Sequence, residues 1–269
     1  MQRESLFPEK NRFSLVTAMI MLAYATAAFV RLPENEFSLQ LPGFFFVAKL
    51  NFYTILSVVV AVIAAAGTDW VIAGHPHLGD SRRWHHLIIP AMTAVVIGVP
   101  LNQIAVGSAW WVIFFMGGAL FTAVLVAEYI SVDLSDSLYP MAVMGLSVVS
   151  LVLFLVLVIS IRGAGARLYT LLSATVPAAA LVSARILNLR LMNKWPLHWI
   201  LGIGIGIGQF CLCLFYLPVE PIPFGLLLTG AVYALTGLAA NFEEQNSGNR
   251  IWVEPGLIFV IFSLLAFLL

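Results

Sequence analysis

Apolar residues run along this chain in nine long blocks separated by short polar stretches. The blocks cover 14–31, 44–66, 85–104, 106–128, 138–161, 168–188, 197–217, 222–240 and 251–269. A helix needs roughly 20 mostly apolar residues to cross about 30 Å of hydrocarbon, and the blocks are of that order. Lipid has no partner for a free N–H or C=O, so a spanning segment is a helix or a strand of a closed barrel. Barrel strands alternate in polarity over about ten residues. The run Leu151-Val152-Leu153-Phe154-Leu155-Val156-Leu157-Val158 is apolar on every face and reads as helix. The pattern predicts an all-α fold: a polytopic bundle of about nine transmembrane helices with short loops, forming one integral membrane domain over 1–269.

The third block is the weakest, because it holds Pro90 and Pro100 and opens on His85 and His86. Charge placement decides in its favour, since Lys and Arg gather in cytoplasmic loops. With nine spans and an inside N-terminus, the inner side holds Arg3, Lys10, Arg12, Arg82, Arg83, Arg185, Arg190, Lys194 and Arg250. The outer side holds Arg31, Lys49, Arg162 and Arg167, a ratio of nine to four. Removing the third span gives seven to six and erases the bias. The expectation is a cytoplasmic-membrane protein with its N-terminus inside and its C-terminus outside. Arg3, Lys10, Arg12 and the small run Ala25-Thr26-Ala27 also suit a signal peptide; the first block is read as a retained anchor. Phe44, Phe45, Phe46, Tyr53, Trp110 and Trp111 fall where an outer aromatic belt belongs, and Trp84, Trp195, Trp199 and Trp252 where an inner one does.

Composition agrees: 61% of residues are hydrophobic and 10% charged, against about 25% charged in a soluble domain. Thirteen bases against thirteen acids leave no net charge, which excludes the basic surface of a nucleic-acid binder. Two cysteines cannot build a disulfide framework or a four-thiolate metal site. The partners expected are the lipid bilayer and other membrane subunits.

Candidate chemistry concentrates in the segment after the second block. His75, His77, His85 and His86 lie within twelve residues, with Asp80 between the pairs. Imidazole and carboxylate together suit a divalent transition metal, so these five residues are the candidate metal ligands. The spacing matches no zincin or di-iron helix pattern. Arg82 and Arg83 beside them are the candidate lipid-phosphate contacts, because guanidinium holds phosphate with paired hydrogen bonds. Glu128, Asp133 and Asp136 follow the fourth block, where paired carboxylates can hold Mg²⁺ against a diphosphate. The segment 189–196 after the sixth block has no acid with which to complete such a site. His198 could face His85 or His86 across a haem.

Gly202, Gly204, Gly206 and Gly208 alternate with isoleucine inside the seventh block. They lack the spacing of a dinucleotide fingerprint. The pairs Gly202/Gly206 and Gly204/Gly208 are small-xxx-small sites, which allow helix backbones to approach closely. Ionisable residues within spans, namely Arg31, Lys49, Glu128, Arg185 and Glu254, stand near span ends, whereas ion-coupled carriers place them at mid-depth. No catalytic residue is assigned. The reading is a non-catalytic accessory, assembly or structural membrane subunit. An interfacial enzyme using the His/Asp cluster on a lipid-linked substrate is the alternative, and a small permease for an apolar solute comes third.

Overall fold

A computed structural model describes residues 10–30, 35–41, 44–50, 52–75, 84–191, 194–244 and 250–269. Among them lie helices α1 (Lys10–Phe29), α2 (Phe52–Ile72), α3 (Ile88–Gln103), α4 (Ser108–Ile130), α5 (Tyr139–Gly163), α6 (Leu168–Arg190), α7 (Leu197–Phe215), α8 (Pro221–Glu243) and α9 (Arg250–Leu268). A single 3₁₀ turn, Trp84–Leu87, leads into α3. Nine helices among the described residues are long and apolar enough to cross a membrane. The protein is a multi-pass helical membrane protein. Its chain divides into two compact units, Met1–Leu134 and Ser135–Leu269.

One element departs from the expectation. Residues 44–50 do not open the second helix. They form a strand, β2 (Phe44–Leu50), paired antiparallel with β1 (Asn35–Leu41), Asn35 opposite Leu50 and Leu41 opposite Phe44. Phe44-Phe45-Phe46-Val47 is aromatic and β-branched, which suits a pleated strand as well as a lipid-facing helix, and hydropathy alone cannot separate the two. A two-stranded hairpin has unpaired edges that hydrocarbon cannot accommodate, so it belongs outside the membrane interior. The second span therefore shifts toward the C-terminus and runs Phe52–Ile72. Lys49 and the three phenylalanines expected along this span stand on β2 instead.

Unit 1 packs α1 against α2 and α4, and α3 between α2 and α4. Its core is built from Val16, Ile20, Val60, Ala64, Ala94, Ile97, Phe121 and Leu125. Glycine lets two of these contacts close. A Cβ on Gly67 would stand 2.5 Å from Val16, and one on Gly98 would stand 2.6 Å from the Tyr24 hydroxyl. That hydroxyl donates to the Ala94 carbonyl at 2.6 Å and ties α1 to α3. The Trp110 indole donates to Leu101 O at 3.1 Å, covering a carbonyl left over where α3 ends at Gln103.

In unit 2, α5 packs on α6 and α8, α7 on α6 and α8, and α9 on α8. The glycine-isoleucine run lies on α7, and its glycines meet different surroundings. A Cβ on Gly208 would approach Val176 of α6 to 2.9 Å, and one on Gly204 would lie 3.5 Å from the Cβ of Ala180. Gly206 looks toward Leu235 of α8 at 3.8 Å, and Gly202 has nothing within 4 Å. The Gly204/Gly208 pair thus seats α7 on α6. Gly230 of α8, not singled out in the sequence, is tighter still, since its Cβ would come within 2.6 Å of Phe262 on α9.

Leucine at position 208 is expected to overpack the α6–α7 contact at a cost of about 1–3 kcal/mol. Gly202→Leu should leave stability unchanged. Thermal denaturation of the purified protein in detergent distinguishes them, and equal midpoints for the two variants would refute this packing.

Candidate functional site

The main concentration of buried polar side chains in unit 1 lies at one end of its helices. The start of α1 brings Arg12 and Phe13, the end of α2 brings Trp70 and His75, the 3₁₀ turn brings His85 and His86, and the end of α4 brings Glu128, Tyr129 and Ser131. His75, His85, His86, Glu128 and Ser131 are all buried, and Glu128 has no exposed surface at all.

A His–Glu hydrogen bond centres the cluster. His86 Nδ1 stands 2.8 Å from Glu128 Oε2. Ser131 Oγ donates to the Glu128 backbone carbonyl at 2.8 Å and lies 3.3 Å from Oε2. It also lies 3.4 Å from His86 Nδ1. A buried carboxylate without such partners would carry a large desolvation penalty. Aromatic and cationic groups gather at the same end of the unit. The His85 and His86 rings are 4.2 Å apart, His75 stands 4.4 Å from Tyr129, and Phe13 meets Tyr129 edge-on at 5.8 Å. The Arg12 guanidinium lies over the Trp70 ring at 5.0 Å. Gly74 makes room for it, because a Cβ there would come within 2.7 Å of Arg12 Nη1.

The arrangement favours some chemistry over other kinds. In a nucleophile–His–acid relay the acid holds one ring nitrogen and the hydroxyl the other. Here carboxylate and hydroxyl converge on the same nitrogen of His86, so Ser131 is not placed as an activated nucleophile. His86 and Glu128 instead form a buried, hydrogen-bonded pair joining the 3₁₀ turn to α4.

Of the five residues expected as metal ligands, His75, His85 and His86 come to this end of unit 1. His77 and Asp80 lie outside the described residues, as do Arg82 and Arg83. Among the described residues, no group of three or more His, Cys, Asp and Glu side chains is placed to hold a metal. The partner of His86 is Glu128, forty-two positions along the chain, which the sequence reading assigned to a carboxylate cluster with Asp133 and Asp136. Asp136 accepts the backbone N–H of Leu138 at 2.9 Å and so fixes the approach to α5. Nothing in the sequence pointed from His86 to Glu128 beyond an acid at the end of an apolar block.

Unit 2 has a polar end of its own. Arg185 on α6 is 1% exposed and donates to Asn188 Oδ1 at 2.8 Å. Arg190 grips Glu244 through two nitrogens at 2.8 and 3.1 Å and Asn241 at 2.7 Å. Glu243 accepts from the Trp199 indole at 3.1 Å and stands 3.4 Å from the exposed His198. Ser183 and Thr236 join α6 to α8 through a 3.1 Å hydrogen bond.

Removing either member of the buried His86–Glu128 pair strands the other, which typically costs 3–5 kcal/mol. His86→Ala and Glu128→Ala should each destabilise by about that much, and the double variant by much less than the sum. Additive losses in chemical denaturation would show that the two side chains are not coupled.

Comparison with curated proteins and with solved structures finds no match. A family model does match, over residues 32–269. That range begins after α1 and takes in the hairpin, α2 to α9 and every residue of the polar cluster except those on α1. The chain belongs to the family described as Protein of unknown function (DUF5656).

Proposed function

We propose that this protein is a non-catalytic accessory, assembly or structural subunit of a membrane complex, with the lipid bilayer and other membrane subunits as its partners. One observation carries the reading: polar side chains, buried in some pairs and partly exposed in others, are used to fasten helices to one another. His86 and Glu128, Thr17 and Thr122 (3.0 Å), and Tyr24 and Ala94 do so in unit 1. Ser183 with Thr236, Arg190 with Asn241 and Glu244, and Trp199 with Glu243 do so in unit 2. Polar side chains between transmembrane helices act as such fasteners. A rigid scaffold requires this use, and a reactive centre needs groups turned toward a substrate.

A second reading has its own support. His75, His85, His86, Glu128 and Arg12 gather at one end of unit 1, where an interfacial enzyme would meet a lipid-linked substrate. The double variant His86→Gln, Glu128→Gln separates the two. It keeps a hydrogen-bonding pair and removes acid–base and metal-binding capacity. A scaffold is expected to complement a deletion strain with this variant. Lost complementation at unchanged thermal stability would reject the subunit reading and favour the enzyme.

The nine-to-four excess of basic residues supports a cytoplasmic-membrane orientation with the N-terminus inside and the C-terminus outside. A cysteine placed at Ser247 should then resist an impermeant thiol reagent in intact cells, and one at Ala164 should react. The opposite pattern would overturn this nine-span orientation in favour of eight spans.

A further inference from the structure

We infer that α7 is a self-association helix: two copies of the chain pair along its exposed face, joined by reciprocal hydrogen bonds between their Gln209 carboxamides. The inference goes beyond the subunit reading and stands without it. Helix α7 turns Gly204 and Gly208 toward α6 and Gly206 toward α8. A further face carries Gly202, Ile205, Gln209, Leu212 and, just past the helix end, Tyr216, all exposed. Their spacing is 3-4-3-4, the heptad seam along which two parallel helices interlock. A Cβ on Gly202 would have nothing within 4 Å, so a facing helix can come close there.

Exposed apolar side chains alone would call only for lipid. The α5 surface of Met141, Met144, Val148 and Val152 is of that kind. Gln209 makes α7 different. It is the thirteenth of the 19 residues of the helix, about 5 Å from its midpoint, too deep for its side chain to reach the membrane surface. Its carboxamide makes no hydrogen bond among the described residues. The residues one turn away, Ile205, Gly206, Leu212 and Cys213, are all described, and their side chains offer no strong donor or acceptor. Hydrocarbon supplies no partner either, so the amide is costly where it stands unless a facing helix satisfies it.

The chemistry of the amide selects the partner. A carboxamide carries N–H donors and a carbonyl acceptor, so it is the complement of an identical group. The seam holds no charge that would favour an ionic partner instead. Copies inserted with one topology are related by a two-fold axis along the membrane normal, and the same patch meets itself. In such a parallel pair each seam residue faces its own counterpart, so Gln209 meets Gln209. A single polar residue at a seam position is the device that fixes register and number in paired helices.

The test mixes donor- and acceptor-labelled copies of the full chain in phosphatidylcholine vesicles and dilutes them with lipid. Energy transfer is expected to persist to about tenfold lower protein-to-lipid ratio than for Gln209→Leu, the scale of one interhelical polar contact. Gln209→Asn, which keeps the carboxamide, should restore most of that difference. Both variants should keep the thermal midpoint of the parent chain in detergent, because the side chain is exposed. In a Cys213→Ser background, Leu212→Cys should cross-link two copies under mild oxidation, and Val148→Cys on the α5 surface should not. Energy transfer no greater than random mixing gives, equal transfer for the parent chain and Gln209→Leu, or equal cross-linking from positions 212 and 148 would each overturn the inference. A lowered thermal midpoint for Gln209→Leu would also overturn it, since the carboxamide would then serve the fold of one copy. The His86/Glu128 complementation result is independent of these measurements.

Discussion

Inside hydrocarbon no polar atom can turn to water, and nearly every feature of this molecule answers that constraint. Backbone groups close on themselves in helices. Hydroxyls in the spans turn back onto their own helix: Thr68 to Ala64, Thr93 to Ile89, Ser150 to Leu146 and Thr229 to Gly225, all near 2.7–2.8 Å. Some larger or charged side chains reach a neighbouring helix instead. The His86–Glu128 pair is the strongest case, because both partners are buried and each satisfies the other.

The same constraint explains what the sequence revealed and what it hid. Block length and apolarity are local properties, so the nine long helices among the described residues could be read directly, including the third with its two prolines. The hairpin could not be read that way. Phe44-Phe45-Phe46-Val47 satisfies a hydropathy window whether it is helical or extended, although Pro42-Gly43 is a turn dipeptide that favoured the second reading. Partner choice is non-local and was likewise hidden. The histidines stood out by density and Glu128 as one of a carboxylate group with Asp133 and Asp136, and nothing along the chain joined the two sets.

Glycine gives a graded example. The run from Gly202 to Gly208 is regular in sequence and irregular in use. Gly208 is pressed against Val176 while Gly202 is open, because residues two apart on a helix point to opposite faces and residues four apart share one, so Gly204 and Gly208 face α6 while Gly202 and Gly206 do not. The tightest glycine contacts among the described residues, Gly67 with Val16 and Gly225 with Ile159, have no pattern around them. Close approach depends on what the opposing helix presents, so periodicity finds the repeated glycines and misses the solitary ones.

The hairpin has a mechanical consequence for α2. Because β1 and β2 cannot enter hydrocarbon, they fix the level at which α2 begins. The helix is 21 residues long, about 32 Å, close to the thickness of the membrane interior. That leaves α2 almost no slack. A thinner or thicker bilayer is taken up by tilt or by local deformation of the lipid, and a rod held at one end passes the displacement to the other. At that other end stand Trp70 and His75, so the polar cluster sits where a change in bilayer thickness would first be felt.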